Sequence, residues 1–182
     1  STFNQIIPQP IINIPDRGVI NIHPSLLPQY KGATPTTWVL LNGEKKTGVT
    51  AHYIKNETID SGKIITKKIY TIRPSETDGS LRENLANLSA EVIDEAINFI
   101  IYREKTTNTD HFPEESSSQY PKRKNSDAEI FLSDSFETIE QKIRAFYPYP
   151  KAFIKNNDQI YRVISVKQFF GEPISKSNNE IL

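Results

Sequence analysis

The run Val19-Ile20-Asn21-Ile22-His23 is short, rich in β-branched residues and closed off by Gly18 on one side and Pro24 on the other. Five residues between such breakers are too few for a stable helix and read as a strand. The nearly continuous apolarity predicts burial on both faces, as in a parallel sheet of an α/β fold. Before it, residues 3–15 are apolar but punctuated by Pro8, Pro10 and Pro15. This predicts an extended or loop segment, with a short helical turn near Ile11 to Ile14. After the strand, a loop from Pro24 to Thr34 leads to a helix from Pro35 to about Asn42, ended by Gly43. Thr47 to Ile54 and Lys63 to Ile72 predict two further strands, joined by a polar turn over residues 56–62.

Ser75, Thr77 and Asp78 are good helix caps. Beyond them Leu81, Leu85, Leu88, Val92, Ala96 and Phe99 recur at three- and four-residue spacing. That pattern predicts a long helix to about Arg103 with one buried face. Residues 106–124 are rich in Ser, Thr, Pro and charge and read as a linker. Past it, a helix is expected near Phe136 to Phe146, and strands at Ala152 to Ile154 and Ile160 to Val166. The polar tail after Gly171 is expected to fray. The resulting division is residues 1–105, a linker over 106–124, and a small, mostly β subdomain over 125–182.

Composition removes several classes of chemistry. There is no cysteine among the 182 residues. A disulfide scaffold, a cysteine nucleophile and a thiolate metal site are therefore excluded, and a cytoplasmic setting is expected. Lys+Arg and Asp+Glu are balanced at 22 each, which argues against a whole-chain electrostatic footprint for nucleic acid or an acidic membrane. No apolar run approaches the roughly 20 residues that span a bilayer. The chain also has no methionine, so Ser1 is read as something other than the native start.

Asn21 and His23 are two apart on the first strand, so their side chains share a face. An imidazole can exchange a proton near neutral pH, and an amide can donate to a developing oxyanion. Taken alone, Asn-x-His also describes two buried polar residues satisfied by neighbouring backbone. Asp60 sits in a D-S-G turn between two strands, from which a carboxylate could orient a histidine. Taken alone, that motif is ordinary turn chemistry.

The ordered set is more specific. N-I-H-P-S-L-L-P, then Y-K-G-A-T-P, then T-G-V-T-A-H, then I-D-S-G-K-I closely resembles the 10-formyltetrahydrofolate-dependent formyltransferase family. That family includes methionyl-tRNA formyltransferases, glycinamide ribonucleotide formyltransferases and nucleotide-sugar N-formyltransferases. The resemblance runs from Phe3 to about Tyr102. It continues more weakly to about Val166 through Y-P-K-R and Y-P-Y-P-K-A-F. It implies a Rossmann-like catalytic core followed by a small C-terminal subdomain. It implies His23 as general acid/base, Asn21 as oxyanion donor and Asp60 as the carboxylate that organises His23 and a water. N10-formyltetrahydrofolate is the implied co-substrate, with no metal. Its expected neighbours are Gln5, Ile6 and Ile7, and the loop Lys55, Asn56, Glu57, Thr58 and Ile59. Ser25, Tyr30, Lys31, Trp38 and His52 are assigned to the acceptor.

The resemblance departs at the start. The βαβ half with its glycine-containing first turn has no counterpart, and the match begins abruptly near Thr2. A chain lacking that N-terminal half is therefore expected. Trp38 and His52 look like the nucleotide-sugar enzymes, so the expected acceptor is an amino sugar on a nucleotide carrier, such as a dTDP-linked amino-deoxy sugar. A homodimer is the expected assembly. Nucleic acid is expected only under the alternative, methionyl-tRNA formyltransferase, because Lys122-Arg123-Lys124 is the sole dense basic run and reads as a solvated face. Hydrolysis of 10-formyltetrahydrofolate and a non-catalytic binding role are the further alternatives.

Overall fold

A computed structural model of the chain describes residues 6–55, 58–103, 116–157 and 159–167. Gln5, Asn56 and Glu57, expected near folate, lie outside the described residues. So do residues 106–115 of the expected linker and the tail after Gly171.

The chain enters through a short helix, α1 (Gln9–Ile12), which starts two residues earlier than expected because Pro10 suits a first helical turn. Strand β1 (Val19–His23) follows, then helix α2 (Pro35–Leu41), strands β2 (Lys46–Ile54) and β3 (Ile64–Thr71), and the long helix α3 (Asp78–Asn98). A π-helical turn extends α3 to Arg103. The second part holds helix α4 (Phe136–Ala145) and strands β4 (Ala152–Asn156) and β5 (Gln159–Val163).

Strands β1, β2 and β3 form one sheet in that order, and β4 and β5 form a separate hairpin. Every pairing between these strands is antiparallel, and two isolated bridges, Lys31 with Gln119 and Glu129 with Phe153, are parallel. The expectation of a parallel, doubly buried β1 is thus corrected. Val19 to Ile22 are only half-buried, and the strand buried throughout its middle is β2. The burial of β2 was masked by its polar residues. Thr50 is 0% exposed because its hydroxyl accepts from Leu27 N (3.1 Å) and donates to Ser25 O (2.7 Å).

The register fixes two different sheet faces. Asn21 pairs with His52 and His23 with Thr50, so these four side chains project from one face. Ile20, Ile22, Val49, Ala51 and Tyr53 project from the other and join the main core with the buried face of α3. The expected stripe is observed. Leu81, Leu85, Val92 and Ala96 are buried, with Leu88 and Phe99 packed at its border. Thr77 caps the helix, its hydroxyl accepting from Ser80 N at 3.3 Å. Phe146, Ala145 and Phe153 enter the same core, so α4 and β4 are joined to the first sheet through shared apolar contacts. No helix among the described residues is long and apolar enough to cross a membrane.

The stretch read as a linker is firmly seated over residues 116–124. Lys31 N donates to Ser118 O (2.9 Å) and Tyr120 N donates to Lys31 O (2.9 Å). Tyr120 stacks between Tyr30 (5.0 Å) and Trp38 (5.2 Å), and Trp38 Nε1 donates to Pro121 O (2.8 Å). A local composition rich in Ser and charge carries no trace of these partners about 90 residues away. Leu85 is 1% exposed on the core face of α3, so Leu85→Ala is expected to lose about 2–5 kcal/mol of stability in chemical denaturation.

Candidate active site

The polar face at the β1–β2 end of the sheet opens on a cavity of about 790 Å³. Asn21, His23, His52 and Asp60 all line it. The first three arrive there by strand register. Asp60 is delivered by the turn between β2 and β3, with φ +48, a conformation that Asp tolerates better than most residues. Gly62 lets that turn close. A Cβ there would sit 1.5 Å from Tyr53 O, at the end of β2.

The Asp60 carboxylate is the centre of the arrangement. Its Oδ2 accepts from Gly32 N at 2.9 Å and faces His23 Nδ1 at 3.5 Å. Its Oδ1 accepts from Asn21 Nδ2 at 3.4 Å and faces His52 Nε2 at 3.6 Å. Gly32 is constrained twice over. Its φ is +118, and a Cβ would lie 2.3 Å from Tyr120 O, so only glycine presents its N–H here without moving the Tyr120 backbone.

Backbone carbonyls fix how the two imidazoles are protonated, because a carbonyl can only accept. His23 Nε2–H donates to Tyr30 O at 2.9 Å, so in the neutral ring the lone pair is on Nδ1, facing Asp60. His52 Nδ1–H donates to Tyr53 O at 3.0 Å, and its Nε2 lone pair accepts from Asn21 Nδ2 at 3.2 Å. His52 thereby holds the Asn21 amide with its NH2 group toward Asp60. His23 is 4% exposed, and burial is the main reason its pKa falls below 6.5, with Asp60 opposing that fall. Burial on its own would raise the Asp60 carboxyl. Its contacts with His52 Nε2 and His23 Nδ1 and the Gly32 N–H outweigh burial and hold the carboxyl below its usual range. Near neutral pH the site therefore contains a carboxylate beside a neutral imidazole whose free nitrogen is ready to take a proton.

The cavity also brings together Ile6, Ile7, Thr58 and Ile59 from the expected folate wall, joined by Ile54. Lys55 is exposed and outside the lining. Of the residues assigned to the acceptor, only His52 lines the cavity. Ser25, Tyr30, Lys31 and Trp38 lie outside the lining. Ser25 is 0% exposed and donates to Gln29 O (2.8 Å), and Tyr30 donates its hydroxyl to Glu44 (2.6 Å). Lys31 contributes backbone bonds to residues 118 and 120, and Trp38 is held by Tyr120 and Pro121. Sequence reasoning missed Arg82, Arg123, Lys122 and Asn125, which also line the cavity. Lys122 and Arg123 had been read as a solvated face, and no local pattern places them in the lining of this cavity.

Residues 1–97 match the protein family described as "Formyl transferase", and residues 122–181 match "Formyl transferase, C-terminal domain". The chain is similar to the methionyl-tRNA formyltransferase of Syntrophus aciditrophicus, 36% identical over 166 residues, covering 91% of this chain and 52% of that protein. It is similar also to that of Clostridioides difficile, 37% identical over 165 residues, with 91% and 52% covered. The chain therefore spans about half the length of these relatives. Among solved structures, an N-formyltransferase from Helicobacter canadensis in complex with folinic acid and dTDP-3-aminofucose superposes with TM-score 0.73 at 26% identity, over 93% of this chain and 62% of that one. The sugar 3N-formyl transferase WlaRD, solved with dTDP and 5-N-formyl-THF, gives 0.64 at 32% identity, over 79% and 51%. The sheet and helices described above belong to this Rossmann-like formyltransferase fold.

The two pKa shifts set the acid side of stability. The folded His23 pKa lies below 6.5, so the folded state binds fewer protons than the unfolded chain as pH drops past 6.5. Its share of stability is complete above 6.5 and is lost as pH falls through the folded value. The Asp60 share is complete above 3.8 and is lost only as pH falls through its still lower folded value. Urea unfolding at pH 7.5 and pH 5.5 is expected to show the parent weakened at the lower pH, and His23→Gln weakened less.

Proposed function

The chain belongs to the formyl transferase family, and on that premise we propose that it transfers a formyl group from N10-formyltetrahydrofolate to the amine of a nucleotide-linked amino sugar. The observation that carries the reading is the cluster of Asn21, His23, His52 and Asp60 on one wall of the cavity. The residues fit the co-substrate. Ile6, Ile7, Ile54 and Ile59 offer an apolar surface for a flat heterocycle beside the reacting groups. When bound, N10-formyltetrahydrofolate supplies an activated formyl group.

The chain's own residues then have distinct tasks. His23 Nδ1 takes the proton that the amine must lose as it attacks, since Nε2 is committed to Tyr30 O. Asp60, 3.5 Å away, stabilises the imidazolium so formed. Negative charge grows on the formyl oxygen during attack. Asn21 can turn one N–H toward it, because the 3.4 Å bond to Asp60 is the weaker of its two. The protonated His23 can return its proton to the departing nitrogen. No covalent bond to the protein is required.

The sugar acceptor is supported by the superposition on the Helicobacter canadensis enzyme over 93% of this chain, and by the basic residues in the cavity. A specific observation favours a second reading, methionyl-tRNA as acceptor. The curated relatives at 36% and 37% identity carry that name. Against it stands a chain with no net charge, 22 basic residues facing 22 acidic ones.

Supplied with N10-formyltetrahydrofolate, the full chain is expected to formylate at least one member of a panel of dTDP-amino sugars. Formylation of methionyl-tRNA alone would overturn the acceptor, and formate release without any amine would make the protein a hydrolase. In the same assay, His23→Ala and Asp60→Ala are expected to lower kcat by orders of magnitude. Asn21→Ala is expected to lose roughly 3 kcal/mol of transition-state stabilisation, seen in kcat rather than in KM alone.

A further inference from the structure

We infer that Tyr30 is a positioning residue, its clamped side chain holding its own backbone carbonyl on His23 Nε2 so that Asp60 does not draw the single ring proton to Nδ1. This deepens the proposed reaction and rests on it for the use made of His23.

A neutral imidazole carries one N–H, and here two acceptors compete for it. Tyr30 O lies 2.9 Å from Nε2, and Asp60 Oδ2 lies 3.5 Å from Nδ1. At equal distance the carboxylate would be the stronger acceptor. Were Asp60 to win, the proton would sit on Nδ1, and the nitrogen that must take the proton of the amine would be closed. The nearer carbonyl prevents this only as long as it stays where it is.

The backbone does not take up that position unaided. Tyr30 has φ +57, a left-handed conformation that is rare for a bulky side chain. Each part of the residue is tied down against it. The backbone N–H donates to Ser118 Oγ at 2.9 Å. The ring stacks on that of Tyr120 at 5.0 Å and 7°. The hydroxyl donates to Glu44 Oε1 (2.6 Å) and accepts from Asn42 Nδ2 (3.1 Å), which also reaches the Tyr120 hydroxyl (2.7 Å). Burial and then the Glu44 bond push the hydroxyl pKa up, so it remains a donor. Ser25 Oγ stands 3.4 Å from the Tyr30 carbonyl, but its one proton goes to Gln29 O at 2.8 Å. The carbonyl is thus left for His23. A strained backbone that its surroundings over-determine can fix the state of a neighbouring reactive group. Tyr30, Glu44, Asn42 and Tyr120 all lie outside the cavity lining, so the clamp acts on His23 and not on a ligand.

The test is heteronuclear NMR of the histidine ring nitrogens in the full chain at pH 7.5, without folate or acceptor, so that it reads the clamp whether or not formyl transfer occurs. His23 is neutral there, and a His23→Gln spectrum identifies its signals. The parent is expected to show Nε2 protonated and Nδ1 bare. Tyr30→Phe keeps the ring stack and loses both hydroxyl bonds. It is expected to raise the Nδ1–H form about tenfold relative to the Nε2–H form, the loss of one charge-assisted contact. Glu44→Ala is expected to do the same, and Glu44→Gln, which still offers an acceptor oxygen, to stay near the parent. Glu44 is exposed, so its variants keep the test open should Tyr30→Phe fail to fold. Formyl transfer measured alongside is expected to lose kcat with KM unchanged in Tyr30→Phe and Glu44→Ala, and to recover in Glu44→Gln. The inference is overturned if the parent carries the proton on Nδ1, or if folded Tyr30→Phe and Glu44→Ala proteins keep the parent tautomer. A changed tautomer with kcat unaltered would uphold the clamp and contradict instead the proton-accepting role of His23.

Discussion

Four neighbours surround the Asp60 carboxylate, which is drawn largely out of water with a tenth of its side chain exposed. Burying a charge is costly unless its oxygens are satisfied, and here each oxygen is. Gly32 N and His23 meet one, Asn21 and His52 the other. Removing the Gly32 or Asn21 donor would leave a charge partly stranded. Much of the surrounding chain can be understood as what brings them together. Gly62 lets the β2–β3 turn close on Tyr53, Gly32 lets a backbone N–H approach, and the β1–β2 register sets Asn21 beside His52. The same carboxylate makes a neutral His23 useful, because it stands ready to stabilise the proton that the ring takes up.

The support for this centre is distributed over the whole chain. Tyr30 gives its carbonyl to His23 and its ring to Tyr120, and Tyr120 gives its carbonyl to the space that Gly32 leaves open. Residues 116–124 thus close one side of the site and carry Lys122 and Arg123 into the cavity. The stretch between α4 and β4 is coupled in the same way. Tyr149 O positions Arg123, and Phe146 lies under it. A C-terminal segment that looks accessory in the sequence therefore helps to shape the cavity.

The elements nearest the reaction were the most legible in the sequence. Val19–His23 and Pro35–Leu41 are bounded by Gly and Pro at positions where those residues have unambiguous local consequences. The α3 stripe is equally local. Asn21, His23 and Asp60 could be assigned because their motifs occur in a specific order, and the structure brings them together. The parallel-strand reading failed for a definite reason. Five residues do not separate a doubly buried strand from one whose isoleucines face a core while Asn21 and His23 face a cavity. Trp38 and Tyr30 were assigned to the acceptor, and an aromatic residue near a motif gives no sign that Tyr120 will stack on it. Arg82, Lys122 and Arg123 were missed because only the fold brings α3 and the 116–124 segment to the same cavity.

The central claim is that His23 and Asp60 work as one unit, and a double-mutant cycle on kcat/KM for formyl transfer tests it most directly. If Asp60 acts chiefly through His23, the His23→Ala/Asp60→Ala protein should be hardly slower than His23→Ala alone. If the two single losses simply multiply in the double variant, the residues act independently, and the account of Asp60 as the organiser of the site is wrong.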